Sequence, residues 1–143
     1  MKAILRCFCQ AVPCVFALVV LSGCDQGKVP GLVKYEGSVT YKGEPLAEAM
    51  LYFTPTSGGR GAYATTDAAG HFKVTTIDPD DGIVKGQYKV SVSKYIVVRY
   101  TMIGDGKVAE TENILPDKYG SEETPLSIDV TAKKFDVVFE LTD

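Results

Sequence analysis

The sequence predicts an all-β protein, a single antiparallel sandwich of about seven short strands, preceded by an apolar N-terminal helix. Three observations predict it. Apolar and polar residues alternate at period two in several separate stretches, the pattern of strands with one buried face. After residue 24 no stretch sustains a 3.6-residue apolar period over three turns. Glycine and proline punctuate the alternating runs at spacings of roughly 8 to 12 residues, as sandwich strands require.

The chain begins with Lys2 and Arg6, continues with an apolar run from about Ala11 to Leu21, and places small residues ahead of Cys24. That is the three-part pattern of an export signal. A retained membrane anchor is the alternative, but the run from Cys7 to Leu21 is 15 residues with Gln10 and Pro13 inside it. A spanning helix needs about 20 predominantly apolar residues. The tetrad Leu21-Ser22-Gly23-Cys24 resembles the lipobox of bacterial lipoproteins, which implies that Cys24 is lipidated and becomes the first mature residue. Residues 1–23 are then a signal peptide and residues 24–32 a lipidated cysteine with a polar, glycine- and proline-containing tether. Residues 33–143 form the domain.

Removing residues 1–23 from the 143 takes away two basic residues and no acid, leaving 13 Lys and Arg against 18 Asp and Glu and moving the formal charge from −3 to −5. No basic stripe remains to hold a phosphate backbone, which excludes nucleic acid as a partner. Cys7, Cys9 and Cys14 lie in the removed segment. With a lipid on Cys24, the mature chain has neither disulfide nor thiolate, and one core of roughly 110 residues must supply its stability.

In chain order, Val33, Tyr35, Val39 and Tyr41 fall on one face of a first strand, and Lys42 to Pro45 turn the chain. Ala49 to Thr54 reads as a second strand with Tyr52 in the core. Ala62–Thr66 and His71–Thr76 flank Asp67-Ala68-Ala69-Gly70, a hairpin signal with an acceptor first and a glycine last. Ile77 to Lys85 reads as a polar loop. Gly86 to Ser93 alternates most cleanly, with Tyr88, Val90 and Val92 inward. Tyr95 to Ile114 is irregular, an apolar β-branched run around Arg99 followed by a Gly104-Asp105-Gly106 turn and a polar return. A projecting hairpin or extended excursion fits it better than a helix. Leu115 to Tyr119 suits one helical turn with Pro116 at its first position. Leu126–Val130 and Phe135–Leu141 read as a terminal hairpin.

The succession Gly37 to Leu46 (G-x-V-T-x-x-G-x-P-L), Phe53-Thr54-Pro55, Thr66 to Phe72 (T-D-x-x-G-x-F), Asp81-Gly82 and Gly86 to Val92 (G-x-Y-x-V-x-V) resembles the carboxypeptidase regulatory-like domain. The resemblance covers about residues 33–143 and implies a transthyretin-like (prealbumin-like) sandwich. Leu115 to Tyr119 (L-P-x-K-Y) and a Leu-rich strand before the last hairpin are similar to small lipoproteins of planctomycete-type bacteria. The segment from Tyr95 to Glu112 departs from the family, many of whose members are proline-rich there. The motifs are turns and core positions, so they speak to fold and hardly to activity.

No catalytic constellation stands out. His71 is the sole histidine and opens a strand, where a half-exposed position explains it. The transthyretin-like hydroxyisourate hydrolases resemble one another in several histidines and a C-terminal Y-R-G-S, whereas this chain ends Phe139-Glu-Leu-Thr-Asp143. Asp78, Asp80 and Asp81 offer hard oxygen ligands to Ca²⁺, but Lys89 stands where an EF-hand needs its bidentate acid. Tyr95, Arg99 and Tyr100 belong to the segment that the fold does not need, and they are the candidate binding surface. The expectation is a non-enzymatic binding or structural module with no cofactor beyond the lipid on Cys24. It would be exported, anchored to an envelope membrane and facing the periplasm, with an envelope protein or glycan as partner. The alternatives are an accessory domain that docks on an envelope enzyme or transporter by strand addition, and a hydrolase.

Overall fold

Period-two segments of the sequence are strands in the structure, a computed structural model that describes residues 29–143. The strands are β1 (Leu32–Val33), β2 (Tyr35–Tyr41), β3 (Glu44–Pro45), β4 (Met50–Pro55), β5 (Ala62–Thr65), β6 (His71–Lys73), β7 (Ile83–Val84) and β8 (Gly86–Ser93). They continue with β9 (Tyr95–Ile103), β10 (Gly106–Asn113), the short helix α1 (Asp117–Gly120), β11 (Ser127–Val130) and β12 (Lys134–Leu141).

One antiparallel sheet has the order β11-β8-β4-β5. The other is built on β2, with β12 along one edge and β3 and β6 along the other. Alternation assigns the inner faces. Leu51, Phe53, Ala62, Ala64, Tyr88, Val90 and Val92 of the first sheet join Tyr35, Val39, Phe72, Val137, Phe139 and Leu141 of the second in one buried cluster. Phe72 is its centre, with its ring 6.2 Å from Phe53 across the core and 5.8 Å from Phe139 beside it. Side chains close the corners. The buried Thr66 hydroxyl donates to the Leu46 carbonyl at 2.6 Å and accepts from the Ala49 amide at 2.8 Å. Thr124 donates to the Val90 carbonyl at 2.9 Å. No buried side-chain nitrogen or oxygen among the described residues lacks a partner, as a low-dielectric interior demands.

Several expectations change. The chain has twelve strands among its described residues, not about seven, because bridges of two or three residues close the corners. The sandwich is not purely antiparallel, since β12 runs parallel to β2. It follows that β11 and β12 do not form a terminal hairpin. β11 extends the first sheet at β8 and β12 crosses to the second, a distinction invisible to alternation because both strands point one face into the same core. The Asp67–Gly70 turn forms, with Gly70 at φ 76° and its amide 3.0 Å from the Asp67 carbonyl. It passes the chain between sheets, and its arms keep the Asp67 amide bonded to the His71 carbonyl at 2.8 Å and the isolated Tyr63–Thr75 bridge.

The polar loop after Thr76 contains β7, which buries Ile83 completely and pairs with β1, so Leu32 belongs to the fold and not to the tether. Tyr52 is 46% exposed because Leu51 and Phe53 take the inward positions of β4. Pro116 precedes α1 instead of opening it.

At Gly37 the register of β12 against β2 slips between Lys134 and Val137. The Val137 carbonyl approaches so closely that a β-carbon would lie 2.1 Å from it.

Candidate functional site

The segment that the sandwich does not use is an antiparallel hairpin, β9 paired with β10 and with no other strand among the described residues. Its two-residue loop has Gly104 at φ 60° in the first position, the sign that tight hairpin turns need to match strand twist. Asn113 clamps its base. The Asn113 side-chain oxygen accepts from the Lys94 amide at 3.0 Å and the Leu115 amide at 3.2 Å, and the Ile114 amide donates to the Lys94 carbonyl at 3.0 Å.

Register decides which side chains share a face, since directly opposed residues of an antiparallel pair point the same way. Asn113, Thr111, Ala109 and Lys107 oppose Tyr95, Val97, Tyr100 and Met102. Glu112, Glu110, Val108 and Gly106 oppose Ile96, Arg99, Thr101 and Ile103. Val98 is the extra residue where the register shifts. The shift has one large consequence: it moves the odd-numbered Tyr95 and Val97 onto the same face as the even-numbered Tyr100 and Met102. An apolar stripe results, and it is open to solvent, with Tyr95 59%, Tyr100 56% and Met102 67% exposed. The Lys107 ammonium sits 4.0 Å from the centre of the Tyr100 ring on this face. On the other face Arg99 Nε donates to Glu110 Oε2 at 2.8 Å.

Of the three residues singled out from the sequence, Tyr95 and Tyr100 are therefore brought together and Arg99 is turned away from them. Val97 and Met102 complete the stripe and were not singled out. The sequence alone carries no signal of it, because tyrosines five apart fall on opposite faces of a regular strand unless an odd residue is inserted.

A second concavity, a shallow groove of 520 Å³, lies over the outer side of β2 and β6 between Tyr63 and Phe135. His71, Lys73, Glu36 and Asp67 line it. Asp67 is occupied by the turn: its Oδ1 accepts from the Ala69 and His71 amides, each at 2.9 Å. The His71 amide outweighs the opposing effect of desolvation and, with the Ala69 amide adding to it, holds the carboxyl below the usual carboxylate range. None of the side-chain hydrogen bonds among the described residues involves the His71 ring.

The aspartates after Thr76 have a structural task. Burial raises the Asp81 carboxyl, but donation from the amides of Thr76 at 2.6 Å, Asp78 at 3.0 Å and Ile77 at 3.0 Å outweighs it, with Lys34 adding to the effect. The net result is a group held below its ordinary range. Asp78 and Asp80 are exposed, and the Asp80 amide donates to Thr75 Oγ1 at 3.0 Å. Asp78, Asp80 and Asp81 are thus not drawn together as ligands, and no three His, Cys, Asp or Glu side chains among the described residues could hold a metal ion.

Leu21, Ser22, Gly23 and Cys24 lie outside the described residues. No helix among the described residues is long and apolar enough to cross a membrane.

No protein-family model matches the chain, and no curated protein matches it. Among solved structures, a 9R-lipoxygenase from Cyanothece PCC8801 is 20% identical over 82% of this chain, with a TM-score of 0.41. The chain spans 17% of that protein's length. A likeness this loose bears on neither fold family nor activity.

Proposed function

We propose that the chain is a lipid-anchored, non-enzymatic binding module of the cell envelope: a transthyretin-like sandwich of the carboxypeptidase regulatory-like type, tethered through Cys24 and acting through the β9–β10 hairpin. The observation that carries this reading is the placement of the hairpin. β1, where the chain enters the domain, pairs with β7, which leads through Lys85 into the first residue of β8. The hairpin begins just after the last residue of β8. Eight strand residues span about 25 Å, so entry and hairpin occupy opposite ends of the sandwich. From Cys24 to Leu32 an extended chain reaches at most about 28 Å. A protein held by that tether carries its apolar ribbon at the end away from its own anchor.

The anchor follows from simple energetics. At about 0.8 kcal/mol per buried CH₂, one acyl chain holds a protein marginally and two or more hold it stably. Membrane fractionation with lipid labelling tests it. Wild type should take label and sediment with membrane, and Cys24→Ala should lose both. A variant that still partitions with membrane beside an unlabelled wild type would overturn the anchor.

A second reading, docking on an envelope enzyme or transporter by strand addition, is favoured by one specific feature, the outer edge of β9, which pairs with no other strand among the described residues. Co-purification from detergent extracts separates the two, because a stoichiometric enzyme or transporter partner supports docking.

A further inference from the structure

The two edges of the hairpin differ in kind. β10 carries Lys107, Glu110 and Glu112, and charges along an edge strand discourage further pairing. β9 (YIVVRYTMI) has one charge, no proline, no glycine and mostly β-branched or aromatic residues, the composition that invites another strand. A two-stranded ribbon by itself is marginal in water, and this one packs neither face on the sandwich.

The register shift at Val98 adds a symmetry. Along β9 the apolar stripe runs Tyr95, Val97, then Tyr100, Met102, a pattern that maps onto itself when the strand is reversed about the point between Val98 and Arg99. An antiparallel copy of β9 placed there would oppose Val97 to Tyr100, Tyr95 to Met102 and Ile96 to Thr101, with every pair on matching faces. Without the shift, the two halves of the stripe would fall on opposite faces.

From this we propose that the partner of β9 is a second copy of this chain, with the two β9 strands adding edge to edge, antiparallel, about a two-fold axis between Val98 and Arg99. The proposal rests on the reading of the hairpin as the binding element. The result is a four-stranded sheet whose outer strands are both β10, so the charged edges face outward and assembly closes at two copies instead of growing into a fibre. The two Arg99 side chains come near each other at the axis, and each is neutralised by its own Glu110 at 2.8 Å. One strand edge is a small contact by the standard of stable dimers, so the free chain should dimerise weakly, with a dissociation constant on the order of micromolar.

Cysteine pairing on the mature lipidated chain in detergent tests the register. Val97→Cys combined with Tyr100→Cys should give a covalent dimer on mild oxidation, roughly tenfold above Val97→Cys combined with Thr101→Cys, whose positions lie on opposite faces. The unsubstituted chain, run alongside, sets the background. Sedimentation of wild type should show a concentration-dependent dimer, and Tyr100→Lys should weaken it at least about tenfold with an unchanged circular dichroism spectrum. Equal cross-linking in both double variants, or a monomer throughout, overturns the self-pairing. If the chain is monomeric yet retains a different protein in a manner abolished by Tyr100→Lys, the second copy is the wrong partner and the tethered binding module stands. Association indifferent to Tyr100→Lys sinks both.

Discussion

β8 and β9 are neighbours in sequence, separated by Lys94, and they end in opposite circumstances. β8 (GQYKVSVS) is the more polar, and it buries Tyr88, Val90 and Val92 almost completely. β9 (YIVVRYTMI) is the more apolar, and every residue in it is exposed. Hydrophobicity alone does not decide burial. A strand with apolar residues at one parity fits a sandwich that can cover one face, whereas one with apolar residues at both parities has a face left over wherever it packs. Parity does not decide recruitment alone, since β4 is apolar at both parities and still packs on the core with Met50 and Tyr52 left exposed, whereas β9 lies wholly outside it. Substitutions that act on one region and spare the other measure this division.

The largest effect should come from the centre of the core. Phe72→Ala removes the ring that contacts both Phe53 and Phe139, and should cost about 3–5 kcal/mol in denaturant unfolding, enough to unfold much of the protein. Gly37→Ala comes next. Its new methyl would meet the Val137 carbonyl, and separating β12 from β2 should cost about 1–3 kcal/mol by the same measurement. If Gly37→Ala were neutral, the close parallel approach of these strands would be wrong.

Asp81→Ala should cost about 1–2 kcal/mol, because three backbone amides lose their acceptor. The pH dependence has a definite sign. Asp81 and Asp67 are held below the usual carboxylate range in the fold, so their contribution is present above an unfolded value of about 3.9 and is lost as pH falls through their lower folded values. Thermal midpoints should drop on acidification below about pH 4 in wild type, and less steeply in Asp81→Ala. An identical acid slope would show that Asp81 does not carry the linkage.

The sequence foretold the core strands with one clean parity, and Tyr35, Val39, Tyr88, Val90 and Val92 are buried as alternation requires. It misplaced Tyr52 because Met50 to Phe53 is apolar at both parities and either face could be inward. It missed which sheet β11 and β12 join, because pairing across a sandwich depends on long-range geometry that a strand's own pattern does not encode. The turn at Asp67–Gly70 was legible because its acceptor and its left-handed residue are local, while its passage from one sheet to the other was not. At the hairpin, Tyr95 and Tyr100 were visible as residues without a place in the core. Their common face was hidden in the insertion at Val98, which becomes plain only when β10 supplies a register.

The smallest effect on stability, and the sharpest on association, is expected at that stripe. Tyr100→Lys changes a side chain that is 56% exposed and touches only its own hairpin, so the unfolding free energy should move by no more than about 0.5 kcal/mol. Association should fall by tenfold or more, since a charge would stand where Val97 of a second copy packs. Inserting one residue in β10 between Glu110 and Thr111, opposite Val98, separates the chemistry of the stripe from its geometry. That variant keeps Tyr95, Val97, Tyr100 and Met102 but restores a regular ladder, sending Tyr95 and Val97 to the face opposite the other two. A folded insertion variant that has lost association would show that the bulge at Val98, and not hydrophobicity as such, makes the surface. Undiminished association would show that β9 sticks through any apolar face, and the contrast with β8 would then reduce to exposure alone.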